Sequence, residues 1–112
     1  MEYQATAKYI RTSTRKMRLI ADAVRMLTAQ TALVQLDALP HHASKPLRDV
    51  IASAIANAKQ KQAQVDQLHF KILEVMGGSP MKRWRAVSKG SAHGYKKRMT
   101  HVRVVLTDEV KE

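Results

Sequence analysis

The thirty residues from Gly77 to Leu106 carry Lys82, Arg83, Arg85, Lys89, Lys96, Lys97, Arg98 and Arg103, and no Asp or Glu. No feature of the chain constrains its fold more. Unpaired charges are not tolerated in a low-dielectric core, where each costs roughly several kcal/mol even after relaxation. Those eight charges must therefore stand outside the core. The rest of the chain cannot balance it: residues 37–76 hold five basic and four acidic groups, and the net charge is +11 over 112 residues. Such an excess says little about fold and much about partners, since it attracts polyanions.

The near-neutral middle is where the core is written. "STRKMRLIADAVRML" offers Ser13 as N-cap and then Met17, Ile20, Ala21, Val24 and Leu27 at helical spacing. "TALVQLDAL" repeats the pattern with Ala32, Leu33, Leu36 and Leu39, ended by Pro40. "SKPLRDVIASAIANAKQKQ" supplies Leu47, Val50, Ile51, Ala54, Ile55 and Ala58. Pro46 is tolerated there only in the first turn, where a missing N–H costs nothing. Ala52, Ala54, Ala56 and Ala58 predict close packing of this third helix on its neighbours.

After Lys61 the period changes to two. Leu68, Phe70 and Ile72 alternate with His69 and Lys71, as in a half-buried strand. The apolar phase then slips at Leu73 and Val75, which marks a bulge. "HVRVVL" is a second strand and "YQATAKYI" a weaker third. The fold class is α+β: three helices packed on a small antiparallel sheet, with a long protruding basic β-hairpin.

The hairpin follows from length. With its turn at Ser88–Lys89–Gly90–Ser91, each arm has about 12 residues, or ~40 Å at 3.3 Å per residue. A domain of this size has a radius of gyration of about 13 Å, so the arm must project. A lone two-stranded ribbon is marginal in water, and its charge makes it worse; a polyanion supplies both counter-charge and order. A solvated basic loop is the bland alternative. Against it stand Trp84 and Tyr95 within the arms, where a ring can stack on a base. Gly90 and Gly94 also sit where a tight turn or a close backbone approach would use them.

The expected organisation is one domain: a body of residues 1–76 with a return strand 101–107, an arm 77–100 and an acidic tail 108–112. Cysteine is absent, which excludes disulfides and thiolate metal sites. No apolar run approaches the ~20 residues of a membrane span, and no signal peptide is evident. Dispersed cations on a ribbon and one helix terminus favour RNA over a helix that reads a major groove, although DNA-bending β-arms share these features. Five histidines raise a metal or nuclease reading, but His41 and His42 are adjacent and His69, His93 and His101 scattered. No catalytic residue, metal or cofactor is expected.

The same residues resemble the universal large-subunit ribosomal protein family L-twenty-two, from about Ala7 to Leu106. "Arg11-Thr12-Ser13-Thr14-Arg15-Lys16-Met17-Arg18-Leu19-Ile20-Ala21-Asp22" follows that family's opening pattern, and "Ser53-Ala54-Ile55-Ala56-Asn57-Ala58" its most recognisable helix segment. "Met81-Lys82-Arg83", "Lys89-Gly90", "Lys97-Arg98" and "His101-Val102" match its hairpin and return strand. The chain departs from the family at the tip, where Ala86-Val87-Ser88-Lys89-Gly90-Ser91 replaces a Pro-Arg-Ala-Lys-Gly-Arg run. Met76-Gly77 stands where an acidic pair is usual, and Met26 where a glycine is.

The resemblance implies a non-enzymatic protein of the large subunit, in the bacterial cytoplasm or an organelle. It would bind large-subunit rRNA and aid its assembly while meeting neighbouring ribosomal proteins, and it would not form an isolated homo-oligomer. It implies rRNA contact at Lys8, Arg11, Ser13, Lys16, Arg18, Arg25, Asn57, Lys82, Arg83, Trp84, Arg85, Lys89, Lys96, Lys97, Arg98 and His101. A tip of Val87, Ser88, Lys89, Gly90 and Ser91 would line the exit tunnel and face the nascent polypeptide. From the residues alone, Ser13 is an N-cap that also suits a phosphate. Asn57 satisfies either RNA or a neighbouring backbone group, and His101 bonds either rRNA or backbone.

Overall fold

The computed structural model describes residues 1–78, 81–86, 88–90 and 92–108. The elements run β1 (Glu2–Ile10), α1 (Thr14–Val24), α2 (Ala29–Ala38), α3 (Ser44–Gln60), β2 (His69–Gly77), β3 (Met81–Ala86), β4 (Ala92–Lys97) and β5 (Thr100–Thr107). Three helices and a three-stranded antiparallel sheet of order β1-β5-β2 form the body, and β3 and β4 form a separate ribbon. The α+β reading is borne out.

Each helix forms where its apolar stripe meets a cap. Ser13 Oγ accepts from the Lys16 N–H at 3.4 Å and starts α1, a cap worth about 1 kcal/mol. Met17, Ile20, Ala21 and Val24 are its buried face. Leu27 lies past the helix end and only packs against the core edge. Thr28 caps α2 through the Thr31 N–H at 3.4 Å. All six apolar positions expected on α3 are buried. Ala54 and Ala58 carry the close packing; Ala56 faces solvent.

β5 is central, which is why it is the most apolar strand. Val102, Val104 and Leu106 are fully buried. Its partner β2 runs from His69↔Thr107 to Gly77↔Thr100, with a register shift between Phe70 and Ile72. The bulge expected at Leu73–Val75 is thus a little earlier. Its effect is the one the apolar phase demands: burial passes from Leu68 and Phe70 to Leu73 and Val75. The weak third strand is real and pairs with β5 from Glu2↔Thr107 onward.

Met1 and Asp108 meet beside this sheet. Asp108 sits 3.5 Å from the Met1 ammonium and accepts from the Tyr3 hydroxyl at 3.4 Å. Burial, and then the Asp108 carboxylate, push the Tyr3 phenol above its ordinary value. The acidic tail beyond Asp108 lies outside the described residues.

The ribbon continues the β2–β5 pair outward. Gly78 N–H donates to the Met99 carbonyl at 2.9 Å, and pairing resumes at Met81↔Lys97 and runs to Ala86↔Ala92. The molecule measures 62 × 24 × 24 Å with a radius of gyration of 17.0 Å, against about 13 Å for a compact chain of this length. The arm projects. At its end Lys89 and Gly90 adopt φ of 62° and 71°. The left-handed value comes easily to Gly90 and is uncommon for a residue such as Lys89; the turn falls where the sequence puts it.

Candidate nucleic-acid interface

The root of the arm is locked to the start of α1. The Thr100 hydroxyl on β5 donates to the Thr12 carbonyl in the buried interior, and Thr12 N–H donates back to Ile10 at 2.8 Å. Beside this pin β1 bulges: its register shifts between Ala7 and Ile10, and Tyr9 takes φ 60°. His101 holds that bulge. Its Nδ1 accepts the Tyr9 N–H at 3.1 Å, and the two rings meet edge to face at 4.9 Å. The His101 ring also lies over Gly78, where a Cβ would fall 2.9 Å from Cε1. Gly78 is glycine because the imidazole fills that space.

These locks bring distant cations together. Arg11, Ser13 and Lys16 from the α1 start meet Lys97 and Arg98 from the arm root around a cleft of about 720 Å³. The turn between α2 and α3, Pro40 to Ala43, forms part of its wall. A second concavity of about 760 Å³ lies alongside and includes Arg15, Arg18 and Asp22. Arg98 borders both. The cluster joins a helix N-terminus, which favours anions, to charges separated from it by more than eighty positions in sequence.

The other expected contacts are spread out. Arg18 Nη2 donates to the Val75 carbonyl at 3.2 Å and ties α1 to β2. Arg25 pairs with Asp22 at 3.2 Å, one turn back on the helix. Asn57 Nδ2 donates to the Gln4 carbonyl at 2.8 Å, so part of its hydrogen-bonding capacity joins α3 to β1. Lys8 is exposed on β1, and His101 uses Nδ1 for the backbone.

On the ribbon, Lys82 pairs in register with Lys96, Arg83 with Tyr95, and Arg85 with His93. Like charges opposite one another destabilise a ladder. Lys82 and Lys97 are both exposed and stand at positions of opposite parity, so cations occupy both faces. Trp84 is 73% exposed. It pairs with Gly94, where a Cβ would lie 3.3 Å from the indole Cζ3. The second arm glycine therefore makes room for a side chain rather than for another backbone. Lys89 and Gly90 are exposed at the tip; Val87 and Ser91 lie outside the described residues.

Sequence reasoning missed Thr12, Arg15, Leu19 and the Pro40–Ala43 turn as parts of this surface. The adjacent histidines were the available signal, but only the tertiary fold brings them beside α1. Among the described residues, no three of His, Asp and Glu are grouped to hold a metal ion, and no helix is long and apolar enough to cross a membrane.

Comparison with known proteins accounts for the same span. Residues 5–107 match the family model described as ribosomal protein L22p/L17e. The chain is 43% identical over 109 residues to the large ribosomal subunit protein uL22 of Desulfotalea psychrophila, covering 96% of this chain and 99% of that one. It is 37% identical over 110 residues to the protein of that name from Mycoplasma capricolum, covering 97% and 99%. The Bdellovibrio bacteriovorus protein is 36% identical over 110 residues, covering 97% and 100%. Projecting ribbon, basic cleft and near-complete alignment converge, and the chain belongs to the ribosomal protein L22p/L17e family.

Proposed function

We propose that the chain is a structural component of the large ribosomal subunit in the bacterial cytoplasm, where its body and arm bind large-subunit rRNA and aid folding of that RNA. The β3–β4 ribbon threads inward between RNA segments. Its tip, from Val87 to Ser91, lines the nascent-polypeptide exit tunnel, and the body meets neighbouring ribosomal proteins. No chemistry is required of it, in keeping with relatives named as ribosomal subunit proteins.

One observation carries this reading. Lys97 and Arg98 at the arm root share a cleft with Arg11 and Lys16 of the body, and the charged ribbon extends away from that cleft. A polyanion that fills the cleft and follows the ribbon relieves the repulsion that the folded chain retains alone. Trp84 adds an exposed ring for stacking.

The test is reconstitution. Wild-type protein should co-sediment with large subunits through a high-salt wash. A variant with Lys82, Arg83, Lys97 and Arg98 all replaced by alanine should be lost in the wash while keeping its helical circular dichroism. Retention of that variant would overturn the role of the arm. A photo-crosslinker at Lys89 should label stalled nascent chains; label found only on RNA would remove the tip from the tunnel.

A further inference from the structure

We infer that the cleft between the α1 start, the arm root and the α2–α3 turn is a pocket for one extruded nucleotide of an RNA strand. This rests on the rRNA-binding reading and narrows it, from a charged surface to a single-residue site on the RNA.

Four observations converge. The first is size: about 720 Å³ is the volume of a small-molecule pocket and holds one nucleotide. The adjoining concavity, which shares Lys16, Leu19 and Arg98 with it, gives the flanking strand a path. The second is an unsatisfied group. Thr12 lines the cleft and is only 6% exposed, yet its Oγ1 has no hydrogen-bond partner among the described residues. Its backbone N–H and carbonyl are both engaged, so the hydroxyl alone awaits a partner. Buried hydroxyls without one are rare and call for an explanation; a small outward turn of the Thr12 side chain on RNA binding would bring it to a ribose hydroxyl or a base edge.

The third observation is the lining. Cations stand beside apolar surface: Leu19 is 65% exposed although it borders the cleft next to Lys16, and Pro40 borders it too. A phosphate alone has no use for Leu19 and Pro40, whereas a base has a face to cover. The fourth is a pre-set turn. Ser44 Oγ donates to the His41 carbonyl at 2.6 Å, and the Ser44 N–H donates to the same oxygen at 3.2 Å. This fixes the backbone that carries His41 and His42 into the lining. Imidazole rings stack on unpaired RNA bases. Phosphate to the Arg11, Lys16 and Arg98 side, base to the His41–His42 side, is the arrangement that uses every one of these features.

The experiment is ultraviolet crosslinking of the full-length protein bound to large-subunit rRNA, followed by nuclease and protease digestion and mass spectrometry. The expected product is a mononucleotide adduct on the peptide containing His41 and His42, derived from one rRNA position. Replacing both exposed histidines by alanine should abolish it and weaken rRNA binding about tenfold. Thr12→Val should weaken binding about fivefold, and Thr12→Ser should restore it. If Thr12→Val fails to fold, the histidine pair still decides.

Adducts on the arm but none on the His41–His42 peptide, with both variants binding as wild type, would sink the pocket and leave rRNA binding standing. Adducts from many rRNA positions would mean a groove that tracks phosphates, which overturns the single-nucleotide site. Saturable binding of free nucleoside monophosphates at micromolar concentration would assign the cleft to a soluble nucleotide and overturn the extruded one. No rRNA binding at all would remove the parent reading along with this one.

Discussion

Three polar side chains of the body, His101, Asn57 and Arg18, reach across the fold to distant backbone. For His101 and Asn57 the residues alone leave RNA and backbone both open as partners, and for Arg18 the resemblance implies RNA. In the fold, each makes a bond to backbone: His101 to Tyr9, Asn57 to Gln4 and Arg18 to Val75. Sequence carries no mark of this, because the partners are 92, 53 and 57 positions away. Gly78→Ala should disturb the His101 lock, since its Cβ would meet the ring at 2.9 Å. The expected result is a lower melting temperature and loss of protection of the Tyr9 amide in hydrogen exchange. Glu2 offers a test with a definite sign. The hydrogen bond from Lys71, and then its charge, hold the Glu2 carboxyl below its ordinary value of 4.5. A carboxyl whose pKa is lowered by folding contributes stability above its unfolded value and loses it as pH falls through the folded value. Glu2→Gln should therefore lower the melting temperature slightly at neutral pH, with the difference from wild type shrinking as pH falls below 4.5 and vanishing once pH is below the lowered folded-state pKa. A difference that grew in acid would contradict the pairing.

At the scale of elements, the helices and β5 were legible because local pattern and burial agree. Met17, Ile20, Ala21 and Val24 are read from spacing alone, and all four are buried. β1 was read weakly, because an edge strand is half solvated and alternates less cleanly. The cleft was legible only as separate residues: Arg11, Ser13, Lys16, Lys97 and Arg98 were expected contacts, but not as neighbours. Its walls come from α1, the α2–α3 turn and the β4–β5 junction, and no local pattern records that they meet. The body and the ribbon should also respond differently to truncation. Ile51→Ala removes a fully buried side chain and should cost about 2–5 kcal/mol, seen as a lower urea midpoint. Trp84→Ala, on the exposed ribbon, should change stability by less than about 0.5 kcal/mol. It should still weaken RNA binding by about 1–3 kcal/mol through lost stacking. Equal destabilisation by the two changes would mean that the indole belongs to the core.

The whole molecule is a small neutral core carrying a cationic projection. Its core is Ala, Val, Ile, Leu and Met together with Phe70 and Tyr3, and it folds on ordinary hydrophobic grounds. The projection obeys another logic: Lys82 opposite Lys96 in register, and exposed cations at positions of both parities, raise the cost of the ribbon standing alone. Under the proposed rRNA-binding role that cost is tolerable, because folding and binding would share one free energy. The central claim is that phosphate neutralisation by the arm and its root drives association. Its most direct measurement is the affinity for large-subunit rRNA as a function of salt, for wild type and for the variant lacking Lys82, Arg83, Lys97 and Arg98. The wild-type plot of log affinity against log salt should be steep, and the variant slope shallower by about three, from four lost contacts at roughly 0.7–0.9 each. A flat wild-type plot, or identical slopes for the two proteins, would contradict it.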